Sequence, residues 1–222
     1  KLIAEISKVR PSDHPKGPGR EGGTIWHTTG SGKSFTMVLL CKALLLHSDL
    51  AECRVIVVTD RTDLEKQLAG NFLTAGAFGT SLADKEGGRS KANSGRDLAK
   101  RIGKGTDRII FTIINKFASA SKLPECRNDS PNMIVLVDEG HRSQGGENHI
   151  RMKQALPNAA FVAFTGTPLL KDDKTTNKFG PIVHAYTMQR AVEDEAVTPL
   201  LYEERIPDLD VNERAIDSWF ER

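Results

Sequence analysis

Three observations predict an α/β fold built on a mainly parallel central sheet. Five short apolar runs recur along the 222 residues: Gly23-His27, Arg54-Thr59, Arg108-Ile114, Met133-Val137 and Ala160-Phe164. Helical patterns or polar loops separate them. Polar, chemistry-bearing clusters follow directly on the runs, as His27-Ser34, Asp138-His141 and Thr165-Pro168. Runs rich in β-branched residues have the form of strands buried on both faces. Their alternation with helices implies parallel pairing through crossovers, and such sheets place ligands at the carboxyl ends of the strands.

Each element follows from its residues. Leu2-Val9 is amphipathic and suits the end of a helix, whereas Pro11-Gly19 is loop by composition. Gly23-His27 is a short strand. Ser34 to His47 is a helix in which Phe35, Val38, Leu39, Ala43 and Leu46 recur at helical spacing. Arg54-Thr59 is a buried-type strand. Asp63 to Ala69 is helical after a polar Asp60-Arg61-Thr62 cap. Gly76 to Gly105 is glycine-rich and basic, with a helix at Gly95-Ile102. The remaining apolar runs complete the sheet.

Composition excludes several classes. Thirty-one basic and 29 acidic residues leave a net charge of +2, so there is no global signature of nucleic-acid binding, although a local one remains open. The longest apolar stretches, Val38-Leu46 (broken by Lys42) and Met133-Val137, fall far short of the ~20 residues a membrane helix needs. A cytoplasmic protein with no membrane partner is expected. Cys41, Cys53 and Cys126 are widely spaced and form no C-x-x-C pair, which points to buried or free thiols in a reducing compartment. Charge is nevertheless uneven. Lys85-Arg108 holds eight basic and three acidic residues, and Ala191-Arg222 holds ten acidic and three basic. The N-terminal stretch suits the start of a piece of a longer chain.

The strand ends carry the chemistry. His27-Thr28-Thr29-Gly30-Ser31-Gly32-Lys33-Ser34 lies between a strand and a helix and has the form of a P-loop, with His27 at the usual first glycine. Gly30 and Gly32 let backbone amides of Thr29-Ser34 face phosphate oxygens, and the helix adds its positive end. Lys33 would reach the β- and γ-phosphates of ATP, and Ser34 would hold Mg²⁺. A Gly/Ser-rich turn that binds nothing is the alternative, and the register of Lys33-Ser34 disfavours it. Asp138 can hold Mg²⁺ as well, and Glu139 can orient and deprotonate a water. Alone that pair could be a solvated turn; with a P-loop upstream it specifies nucleoside triphosphate hydrolysis. Thr165, Gly166 and Thr167 can sense the neighbouring loop. Thr59, Asp60, Arg61, Thr112 and Lys116, after the second and third strands, offer hydroxyls and charge suited to a phosphodiester backbone, or serve as caps.

Taken together, Thr28-Ser34, Asp138-Glu139-Gly140-His141 and Thr165-Gly166-Thr167-Pro168 resemble motifs I, II and III of superfamily 2 helicases and translocases. Gly22-His27, Val58-Leu64, Phe111-Phe117 and Asp138-Gln144 resemble more narrowly the motor (R) subunit of type I restriction enzymes. The resemblance covers roughly residues 22 to 205 and implies a three-layer RecA-like P-loop NTPase domain at 23-190. Residues 1-22 would lead in from an upstream region, and 191-222 would connect toward a second RecA-like domain. It further implies an ATP-dependent double-stranded DNA translocase, partnered by methylase and specificity subunits, in which Lys33, Asp138 and Glu139 are catalytic. His141, Thr165, Gly166 and Thr167 would couple the ATP site to DNA. The family's nuclease motif is not matched: Asp172-Asp173-Lys174 is read as a solvated cluster. No Gln precedes Trp26 to read adenine. His27 either packs behind the loop, the favoured reading, or contacts nucleotide. Trp26 is expected in the core. The basic segment 85-108 either faces DNA phosphates or is a mobile solvated loop.

Overall fold

The computed structural model describes residues 2–15, 17–74, 90–139, 146–167 and 175–199, with Leu73 and Asn177 described by their backbone alone. The chain opens with helix α1 (Leu2–Ser7) and a two-residue antiparallel pair, β1 (Val9–Arg10) and β2 (Gly19–Arg20), which brackets the predicted proline-rich loop. Arg20 ties this lead-in to the body. Its buried guanidinium donates to the carbonyls of Ile6, Ser7 and Pro131 and to Asn132 Oδ1.

Six parallel strands form the sheet: β3 (Gly23–His27), β4 (Arg54–Thr59), β5 (Ile109–Ile113), β6 (Met133–Val137), β7 (Ala160–Thr165) and β8 (Ile182–Tyr186), in the spatial order β5-β4-β6-β7-β3-β8. Five are the strands the apolar runs predict, within one residue at each end. β8 is an addition. It lies at the sheet edge with His184 and Ala185 exposed, so it lacks the continuous apolar run of a strand covered on both faces.

Alternation along the strands builds a core on each face. Val55, Val57 and Leu136 join one cluster with Met37, Leu44, Leu68 and Phe72. Ile56, Val58, Val135 and Val137 join the other with Leu98, Ile102, Phe117 and Met152. The first is covered by α1, α2 (Lys33–Leu46) and α3 (Thr62–Thr74). The second is covered by α4 (Gly95–Lys104), α5 (Phe117–Ala120), α6 (Glu147–Ala155) and α7 (Thr175–Phe179). This is the expected three-layer RecA-like arrangement. A final helix, α8 (Met188–Glu193), follows β8 and is capped by the Thr187 hydroxyl.

The α2 recurrence divides between two faces. Met37, Val38, Cys41 and Leu44 are buried, whereas Phe35, Leu39 and Leu46 are 63%, 64% and 83% exposed. The helix is apolar nearly all round, so spacing alone cannot say which side meets the sheet. All three cysteines are free and buried, and burial pushes the Cys41 thiol up to about 12 and Cys126 to about 11. Within the basic segment, residues 90–108 include a regular helix: α4 is capped by Ser94, whose hydroxyl accepts from the Asp97 amide. Arg101 is held by Asp97 and Asp107. Arg96, Lys100 and Lys104 are exposed along its outer face at intervals of four.

His149 of α6 is 3% exposed and packs edge-on against Phe179 at 5.1 Å, with neither ring nitrogen hydrogen-bonded. One turn on, the Lys153 ammonium lies over Phe161 and Phe179 and donates to the Lys178 carbonyl. Burial, then the charges of Lys153 and Lys178, push the imidazole down to about 4. The unfolded chain therefore takes up a proton near pH 6.5 that the folded chain refuses until about pH 4, and stability is lost across that window. His149→Phe should remove a few kcal/mol of this acid sensitivity. Urea unfolding from pH 7 to 4 checks it, and an unchanged pH slope in the variant would refute the assignment.

Candidate active site

The site forms at the carboxyl ends of β3, β6 and β7. After His27 the chain curls through Thr28 to Gly32 and enters α2 at Lys33. Gly30 and Gly32 both hold φ 84°, a left-handed conformation that costs glycine nothing. The Ser31 hydroxyl and amide donate to the Thr28 carbonyl at 2.6 and 3.2 Å, which closes the turn. The Thr28 amide donates to the Tyr186 carbonyl, so β8 steadies the start of the loop. Thr29, Gly30 and Gly32 stand exposed while Lys33 and Ser34 are half-buried. This leaves the first amides of α2 directed at a cradle fit for phosphate.

Lys33 meets the acidic pair. Its Nζ lies 3.7 Å from Asp138 Oδ1 and makes a tighter contact with Glu139 Oε1. Both carboxylates follow β6, which is separated from β3 by β7. Asp138 is buried, and its amide donates to the Val58 carbonyl of β4. Burial is the main cause pushing its carboxyl up, and the charges of Glu139 and Asp60 add to it; Lys33 and the Glu139 amide oppose. Glu139 holds φ 49°, a left-handed backbone in a residue with a side chain. That conformation turns its carboxylate back toward Lys33. Asp138 and Ser34 are hard oxygen ligands of the type magnesium takes. A carboxyl raised by burial and by two neighbouring acids is one that a divalent cation would relieve, so the residues fit that ion.

His27 lies behind the loop. Its Nε2 is 2.9 Å from His184 Nδ1, its Nδ1 is 3.5 Å from Thr36 Oγ1, and its ring stacks obliquely on His184 and Tyr186. Burial, then the charges of His184 and Lys33, lower its basicity. This is the packing role expected of it.

Trp26 departs from expectation. It is half-buried, not core, and its indole N–H donates to the Gly166 carbonyl at 3.1 Å. Thr165 is buried, and its hydroxyl accepts from the Thr167 amide. His141 and Asp172-Asp173-Lys174 lie outside the described residues.

The five residues proposed for a phosphodiester backbone are not equally available. Arg61 is exposed and Asp60 half-buried. Thr59 is buried and donates to the Arg61 carbonyl, which shapes that loop. Thr112 is fully buried and donates to the Ile113 carbonyl. The Lys116 ammonium is held by Glu65 Oε1 at 3.2 Å and the Ala92 carbonyl at 2.5 Å. Glu65, which the sequence did not single out, is completely buried between Lys116 and Lys91. An acid within an amphipathic helix carries no signal of such burial until its partners are placed.

A buried carboxylate that its surroundings resist should cost stability in the free chain. Asp138→Asn is therefore expected to melt at the same or a higher temperature than the parent at pH 7 while losing magnesium-dependent nucleotide binding. Scanning calorimetry checks this, and a fall of about 5 °C or more would refute it.

The SWI2/SNF2 ATPase family profile matches residues 1–222. The putatively assigned MjaIXP type I restriction enzyme endonuclease subunit of Methanocaldococcus jannaschii is 34% identical over 205 residues, covering 91% of this chain and 19% of that protein. The HindI endonuclease subunit of Haemophilus influenzae is 37% identical over 203 residues, covering 83% and 18%. The chain thus spans about a fifth of the length of the curated relatives it matches. The fold is shared with the Pyrococcus furiosus Hef helicase domain (TM-score 0.54, 15% identity, 83% of this chain and 36% of that one). It is shared too with Mss116p bound to ssRNA and AMP-PNP (TM-score 0.53, 11% identity, 82% and 40%). The profile match along its whole length makes this chain a member of the SWI2/SNF2 ATPase family.

Proposed function

We propose that the chain is the first RecA-like motor domain of a type I restriction enzyme R subunit, and that it binds Mg-ATP for double-stranded DNA translocation. The observation that carries this reading is the Lys33 ammonium set against Asp138 and Glu139 across β7. The likeness to type I endonuclease subunits supports the DNA substrate and the methylase and specificity partners. Residues 1-22 serve as the lead-in, 23-190 as the motor domain and 191-222 as the connector to a second one.

In this reading the amides of Thr29 to Ser34 bind the phosphates. The Lys33 ammonium moves from Glu139 to the β- and γ-oxygens when they arrive. Glu139 Oε1, relieved of Lys33, then orients the attacking water and takes its proton. Ser34 and Asp138 would hold magnesium, which would supply positive charge against the phosphates. Thr165, Gly166, Thr167 and His141 relay the nucleotide state toward DNA. Arg61, and the exposed row Arg96, Lys100 and Lys104, supply positive charge for its backbone, while Thr59, Asp60, Thr112 and Lys116 shape the loops that present it.

P-loop ATPases commonly draw a further cation from an arginine finger, worth about 10³–10⁵ in rate, and this reading assigns it to a second domain. The 222-residue chain should therefore bind Mg-ATP weakly and show negligible DNA-stimulated turnover. Calorimetry and a phosphate-release assay with and without duplex DNA check both halves. Robust DNA-dependent turnover by the monomeric chain would overturn the divided-site argument. Lys33→Ala should abolish measurable binding, and unchanged affinity would overturn the P-loop assignment.

A further inference from the structure

Trp26 is placed between two elements that the proposed ATPase must keep in step. It is the fourth residue of β3 and pairs in register with Thr165 of β7 on one side and Ala185 of β8 on the other. The next residue, His27, begins the nucleotide loop. Trp26 is half-buried and directs its single side-chain donor at a backbone carbonyl of the Thr165-Thr167 turn.

The same turn touches the loop a second time. A Cβ on Gly166 would stand 2.8 Å from Thr29 Oγ1 and 3.4 Å from the Thr29 amide nitrogen. Gly166 is therefore closed in by Thr29 on one side and held by the Trp26 indole on another. Beyond it, the Thr167 amide bonds back to the Thr165 hydroxyl, so the turn is a small hydrogen-bonded unit that shifts together. Thr29 occupies the space a side chain at position 166 would need, so a displacement of Thr29 changes the room beside Gly166, and the indole N–H determines how the turn answers. Phenylalanine would keep an aromatic ring there, smaller than the indole and without a donor.

We infer that Trp26 is a positioning residue, whose indole N–H to the Gly166 carbonyl transmits occupancy of the nucleotide loop to the Thr165-Thr167 turn. The inference rests on the nucleotide-binding reading of that loop.

The chain contains two tryptophans, Trp26 and Trp219, so Trp219→Phe leaves Trp26 as the sole indole reporter. Mg-ATP titrated into this variant should change Trp26 emission saturably, with the midpoint that calorimetry gives. Hydrogen exchange is the second measurement. In the parent, Mg-ATP should protect the amides of residues 165–167. In Trp26→Phe that protection should vanish, with nucleotide affinity within about threefold, because the lost bond is not made to the nucleotide. Calorimetric binding with a silent Trp26, or nucleotide-dependent protection that persists in Trp26→Phe, overturns the inference and leaves the nucleotide site standing. Faster exchange along all of β7 in Trp26→Phe shows a merely structural role and overturns it too. A parent chain with no calorimetric binding removes the functional reading and this inference together.

Discussion

Lys33 faces two carboxylates that belong to a strand not adjacent to its own. β7 lies between β3, which delivers the lysine, and β6, which delivers Asp138 and Glu139. The three groups meet only if all three strands end at the same level, and the continuous parallel register from β3 through β7 to β6 provides that. Like charges within the acidic pair repel, and both sit where water is scarce. The ammonium is the group that holds them together in the free chain. The turn after β7, the steadying of Thr28 by β8 and the packing of His27 against His184 all serve the position of this one side chain.

The arrangement is costly in the way functional sites are. Glu139 holds a left-handed backbone, and Asp138 is a buried carboxyl whose neighbours include two further acids. The rest of the fold offsets this with two apolar faces and capped helices, and it also buries Glu65 between Lys91 and Lys116. Burying an ion group of that kind adds little to net stability. Its effect here is to fix the loops after β4 and β5 relative to each other.

Much of this was legible in the residues, and the rest was not for identifiable reasons. Val55 to Val58 and Met133 to Val137 declare strands covered on both faces, because a β-branched apolar run has few other uses. Gly30, Gly32, Lys33 and Ser34 declare a left-handed turn into a helix, because their order is a geometry as much as a composition. β8 was hidden, since a half-exposed edge strand such as Ile182-Tyr186 has no continuous apolar run. Lys116 and Thr112 have the residue types of backbone contacts, yet one is paired to Glu65 and the other folded inward. Composition gives a side chain's capacity, and only the fold decides whether that capacity is spent inside. Trp26 shows the converse, a large apolar residue whose polar edge reaches a partner across the sheet end.

The outward side of α2 has a consequence of a different kind. Phe35, Leu39 and Leu46 face water along the helix that begins at the nucleotide loop. A row of apolar side chains holds water only weakly, and covering it with another apolar surface is favourable. A polar residue at any of the three positions would shrink that seam and leave the described core untouched.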